Sequence, residues 1–214
     1  MSDLFISLLG PFEGTLNGEQ ITQFRTRSVQ ALLIYLVCEP RRPHQREALM
    51  ELLWPGMPPA SAQANMRQTL YRLRRLIPQV NSKHSEEPVP FLLANRQTIQ
   101  INPDAVYTAD VQSFTELVEG DPVQAIALYR GDFLADFYLP GSESFEAWVA
   151  ARRADYRRQA LHTLESLTAV HIQQGDFEEA ELLARKSLAI DNLRESTHRQ
   201  LLEALARSGR RQEA

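Results

Sequence analysis

Over the first hundred residues the apolar positions change period several times, and each change marks a predicted element. Residues 4–9 (LFISLL) and 12–21 (FEGTLNGEQI) are short and separated by Gly10-Pro11, and Asn17-Gly18 offers the positive φ angles of a tight hairpin turn. They predict an N-terminal antiparallel sheet. In SVQALLIYLVCEP, Val29, Leu32, Leu33 and Leu36 share one stripe at helical spacing, and the run ends before Pro40. A second short helix is predicted in REALMELLWP, with Leu49, Leu52 and Leu53 inward and Trp54-Pro55 as its stop. A third covers ANMRQTLYRLRRLIP, residues 64–78. At about 100° per residue, its Met66, Leu70, Leu73 and Ile77 fall in one narrow arc. The polar stretch NSKHSEEP reads as a loop, and FLLA and TIQI read as strands joined at Asn95-Arg96-Gln97. Helix-turn-helix followed by a β-hairpin is the order of a winged helix.

From about residue 105 the pattern is almost wholly helical. GDFEEA at 175–180 and GRRQEA at 209–214 repeat the same glycine-to-alanine spacing at an offset of 34 residues, the tetratricopeptide (TPR) period. Leu164, Leu167 and His171 precede the first copy as His198, Leu201 and Leu205 precede the second. GDPVQA at 120–125 has that spacing too, but at an offset of 55, so an insertion of 21 residues separates it. The patterns together predict an α+β winged helix in residues 1–104 and an all-α, TPR-like helical repeat domain in residues 105–214. Gly209 to Ala214 would begin the second helix of a repeat. A helix at 195–207 without that partner would leave its apolar face uncovered, at roughly 25 cal/mol per Å². More chain is therefore expected after Ala214.

Charge adds a second contrast between the halves. Residues 1–102 hold 11 Lys+Arg against 8 Asp+Glu, and the remainder holds 12 against 19, in a chain whose net charge is −4. Four arginines gather on the third helix, where Gln68, Tyr71, Arg72 and Arg75 point away from the apolar arc and Arg67 and Arg74 lie together on one flank. A helix held by its apolar face can lie in a major groove, where the planar guanidinium bonds phosphates or the acceptor edge of guanine. Arg96, at the hairpin tip, would reach a neighbouring minor groove or the backbone. The plainer alternative is a solvated basic face on an ordinary amphipathic helix; the sheet, the two preceding helices and the hairpin favour DNA.

Element by element, LGPFEGTLNGEQI, RSVQALLIYLVCEPRRPHQREALMELLWP and NMRQTLYRLRRLIP resemble the OmpR-type winged helix of the antibiotic-regulatory-protein (SARP) class of bacterial transcription activators. DVQSF, YRGDFLADFY, ESFEAWVAARRADYR, GDFEEAELLARKSLAIDNLRE and ALARSGRRQEA resemble the bacterial transcriptional activator domain that follows it. The resemblance implies a cytoplasmic DNA-binding activator whose partners are double-stranded promoter DNA bound as tandem direct repeats, RNA polymerase, and a second copy on those sites. It places Gln68 and Arg72 towards the bases and Arg67, Arg74 and Arg75 nearer the phosphates, with Tyr71 on the same face and Asn95 and Arg96 at the wing. Met66 stands where the class often has leucine, and Asn95-Arg96 replaces a common glycine-tyrosine. With the first strand beginning by residue 4, no receiver domain is expected before the winged helix, so control would come from abundance, oligomerisation or further segments.

Other classes fit less well. The sequence has no GxxxxGK[ST] loop, HExxH, Rossmann glycine fingerprint or GxSxG elbow, and its five histidines share no ligand spacing. No enzyme activity, metal or cofactor is expected. The lone Cys38 lies in an apolar run and reads as a small core residue. Ser142 or Ser144 in GSES reads as a helix cap, and Trp148, Tyr129 and Phe145 read as core packing before lining of a groove. No apolar run is long enough to span a bilayer. One alternative stays open: a TPR-type interaction module whose winged helix mediates protein contacts, as the N-terminal part of a larger multidomain regulator.

Overall fold

The structure, a computed structural model, describes residues 3–210. Its elements in chain order are β1 (Leu4–Ser7), β2 (Glu13–Leu16), β3 (Glu19–Gln20), α1 (Arg27–Cys38), β4 (His44–Gln45), α2 (Arg46–Leu53), α3 (Pro59–Leu76), β5 (Gln79–Val80), β6 (Val89–Pro90), β7 (Leu92–Ala94), β8 (Thr98–Ile101), β9 (Thr108–Ala109), α4 (Asp110–Gly120), α5 (Pro122–Leu128), α6 (Glu143–Gln174), α7 (Phe177–Ile190) and α8 (Glu195–Arg207). Two compact units divide them. The first takes residues up to Gln112 together with Leu134–Ala151, and the second takes Ser113–Phe133 and Arg152 onward. These units do not follow the expected boundary after residue 104, because 105–112 and 134–151 cluster with the N-terminal elements.

In the first unit, β2 turns into β3 through Asn17 (φ 57) and Gly18 (φ 80), the left-handed pair that the Asn-Gly dipeptide predicts. The sheet runs β3-β2-β1-β9, with β1 antiparallel to β2 and parallel to β9. β9 is a two-residue strand inside the stretch read as almost wholly helical. Two residues of strand are too few to leave a period. Asp110, just after β9, is buried, and its carboxylate accepts from the N–H groups of Leu8 (2.8 Å) and Leu9 (2.9 Å). Further on, the Leu134 N–H donates to Leu8 O (2.9 Å) and the Ala135 N–H to Gly10 O (3.1 Å). Hydrogen bonds thus close this sheet from positions more than a hundred residues away.

α1 ends at Cys38 because Glu39 precedes Pro40, which disfavours helical backbone there. α3 begins five residues earlier than predicted, with Pro59 at its first position, where a missing N–H costs nothing. It stops at Leu76, ahead of Pro78. Met66, Leu70, Leu73 and Ile77 are all buried, as the arc requires, and Ala62 and Thr69 join them. The NSKHSEEP stretch is a loop, as its polarity predicts, and the short strands on either side of it pair, Gln79 of β5 with Pro90 of β6 and Val80 with Val89. β7 and β8 form the predicted hairpin, and β4 adds a third strand by pairing His44 with Ile99 and Gln45 with Thr98.

α6 begins in the first unit and continues into the second. Ser142 caps it: its Oγ accepts from the Phe145 N–H (3.2 Å) and donates to Leu52 O. Phe145 is fully buried and stacks near Trp148 (5.4 Å), which also meets Tyr35 (5.1 Å). In the second unit, Tyr129 is buried beside Phe114 and donates to Asp132 Oδ1 (3.0 Å). Burial and the Asp132 carboxylate push its phenol well above the ordinary tyrosine value. All three aromatics are therefore packing residues. α7 and α8 pack on each other, and Ile172, Ala180 and Ala204 form a buried cluster. Of the second repeat copy, residues 211–214 lie outside the described residues.

Candidate nucleic-acid interface

Burying one stripe of α3 leaves Arg67, Gln68, Tyr71, Arg74 and Arg75 exposed, with Arg72 half-buried. Tyr71 is 61% exposed, a large aromatic ring held in water and free to touch a ligand. The Arg75 guanidinium lies 5.8 Å from its ring centroid, and Arg75 Nη1 donates to Tyr71 Oη (3.4 Å). Arg67 Nε donates to Gln63 O (3.3 Å), which steadies its stem along the helix.

The predicted residues fall into two groups about α3. Gln68, Tyr71, Arg72 and Arg75 line a shallow cavity of about 220 Å³ together with Gln23 and Arg25. Arg67 lines a larger one of about 620 Å³ with Asn95 and Arg96 of the hairpin and Arg46 and Glu47 of α2. Arg74 is exposed and lines neither. Asn95 has a structural task at the hairpin tip, where its Oδ1 accepts from the N–H groups of Gln97 (2.8 Å) and Thr98 (2.7 Å). That fixes the turn on which Arg96 is displayed.

Arg25 and Arg46 were not anticipated. Arg46 sits beside the hairpin because β4 pairs with β8, and the Arg46 N–H donates to Gln97 O (2.8 Å). A two-residue strand leaves no periodic trace in the sequence. Arg25 has φ 47, in the left-handed region that a non-glycine residue seldom adopts, and nothing in Phe24-Arg25-Thr26 signals it.

Charge pairing separates the two units. In the second, Arg157, Arg158, Arg185, Arg194, Arg199, Arg207 and Arg210 each pair with a carboxylate. Among the described residues, none of Arg67, Arg72, Arg74, Arg75 or Arg96 forms an ion pair. Unneutralised guanidinium groups on one helix face and one hairpin tip make a positive surface with no carboxylate paired to them. Among the described residues no group of three or more His, Cys, Asp or Glu could hold a metal ion, and no helix is long and apolar enough to cross a membrane.

Residues 112–214 match the family model of the bacterial transcriptional activator domain (BTAD). Among solved structures, one of Mycobacterium tuberculosis EmbR in complex with a low-affinity phosphopeptide is similar over 100% of this chain, with a TM-score of 0.68 and 22% sequence identity. This chain spans 57% of the length of that one. Comparison with curated proteins finds no match. The likeness to that solved structure shows a shared fold, a β-rich N-terminal region followed by a helical part, and residues 112–214 of the helical part are the stretch that matches the activator-domain model.

Proposed function

We propose that this chain is a sequence-specific DNA-binding activator that recognises tandem direct repeats in promoters and assists recruitment of RNA polymerase in the cytoplasm. The observation that carries this reading is the set of unpaired arginines on α3 and the hairpin, whereas Arg157, Arg158, Arg185, Arg194 and Arg210 of the second unit each pair with a carboxylate. α3 enters the major groove with Gln68 and Arg72 towards base edges, Tyr71 beside them, and Arg67, Arg74 and Arg75 towards the phosphates. Asn95 and Arg96 meet the backbone from the hairpin. The helical part acts as a TPR-like surface for protein partners, polymerase or a second protomer on the adjacent repeat.

Selection of bound duplexes from a random pool tests this directly. The expected result is a recovered repeat whose affinity falls steeply as salt rises, since each neutralised phosphate releases counterions. Replacing Arg72 and Arg75 by alanine should abolish that enrichment. Unchanged binding in the double variant would reject the reading and favour a winged helix that contacts protein.

A further inference from the structure

We propose that Arg46, Arg67 and Arg96 together form a seat for a single backbone phosphate of the bound DNA, on the hairpin side of α3. The seat rests on the DNA-binding reading and adds to it a residue outside α3 and the hairpin. Three parts of the chain converge on the 620 Å³ cavity: the first residue of α2, the flank of α3 and the tip of the hairpin. Their convergence is built in by the backbone, because pairing of β4 with β8 and the bond from the Arg46 N–H to Gln97 O (2.8 Å) hold Arg46 beside the residue that follows Arg96.

The chemistry of the cavity points to an anion. Three guanidinium groups line it against one carboxylate, Glu47, and none of the four is in an ion pair among the described residues. Arg46 Nε is buried and has no hydrogen-bond partner among the described residues. Guanidinium also matches phosphate geometrically, with two parallel N–H···O bonds per group. A phosphate could come from DNA or from a free oligophosphate. DNA is favoured because Arg67 belongs to the same helix as Gln68 and Arg72, so an occupant of the seat lies next to the reading face. Arg96 is then committed to the backbone phosphate and does not enter the minor groove.

The test uses the whole 214-residue chain and a duplex recovered by selection, with its phosphates replaced one at a time by neutral methylphosphonates. For the native chain, one position should weaken binding roughly tenfold, the effect of losing a charge-assisted hydrogen-bond pair. At that position Arg46→Gln should lose little more, and its salt dependence should be shallower by about 0.9 in log–log slope, one phosphate's worth. Arg96→Ala, at an exposed hairpin tip, should show the same coupling, and it decides the matter if Arg46→Gln proves unfolded by circular dichroism. Equal losses in native and variant chains at every position would overturn the seat while leaving DNA binding intact. A native chain with no sequence selection and no salt dependence would instead overturn the DNA reading itself. Tripolyphosphate, titrated calorimetrically at constant ionic strength, separates the two sources. Binding abolished by Arg46→Gln with DNA affinity unchanged would assign the cavity to a free oligophosphate and overturn the proposal.

Discussion

Arg72 and Arg74 are two positions apart, yet the helix gives them different surroundings. Arg72 is half-buried in the shallow cavity beside Gln68, whereas Arg74 stands exposed on the far flank with Arg67. Arg72→Ala should therefore cost about 1–3 kcal/mol against the selected sequence and relax the preference at one base position, while Arg74→Ala should weaken all duplexes alike. Affinities for the selected duplex and for single-base variants of it distinguish the two; identical profiles would show that Arg72 reads no base. At this scale the sequence was most legible where local period decides the outcome. Met66, Leu70, Leu73 and Ile77 are buried because spacing along one helix suffices to place them. Arg25 and Arg46 escaped notice because their places depend on a left-handed backbone and on a strand pairing some fifty residues away in sequence.

Helices and hairpins were legible where a chemical stop or turn signal is strong. Asn17-Gly18, the proline after α1 and the Ser142 cap of α6 all act as their chemistry predicts. β4, β5, β6 and β9 went unseen, since a two-residue strand is defined by its partner and not by its own residues. Between helices, one polar tie in the second unit joins α6 to the start of α8. Glu165 accepts from Arg194 through both oxygens (2.8 and 2.7 Å) and from Ser196 and Thr197 through Oε1. The Arg194 bond, with those hydroxyls, holds the Glu165 carboxyl below the ordinary glutamate value, against the opposing effect of burial. A carboxyl with a lowered folded pKa contributes stability above its unfolded value, and that stability is lost as pH falls through the folded value. The urea midpoint of the second unit should accordingly drop as pH falls from the ordinary glutamate range towards the lowered value. Glu165→Gln should flatten that acid limb and lower the plateau near neutrality. The same acid dependence in the variant would show that other carboxylates set it.

The whole chain was legible as two parts of different character, and less so in how its segments are shared between them. Composition and period change near residue 105, but the first compact unit reclaims 105–112 and 134–151. The reasons are specific: β9 pairs with β1, Asp110 satisfies the N–H groups of Leu8 and Leu9, and the Leu134 N–H donates to Leu8 O. A fragment ending at residue 104 would lose every one of these and leave buried donors without acceptors. Each such donor costs about 1–3 kcal/mol, so the fragment should lose most of its stability. Thermal unfolding of that fragment should be broad and begin well below the transition of the full chain; a sharp transition at the same temperature would show that these bonds carry little weight. The bonds from Asp110 and Leu134 to residues 8 and 9 also bear on how the protein is made. N-terminal domains commonly fold while the rest of the chain is still being translated. Here the first unit cannot be completed until the ribosome has released its segment up to Ala151, so under the proposed function a nascent chain should acquire affinity for a promoter only late in its synthesis.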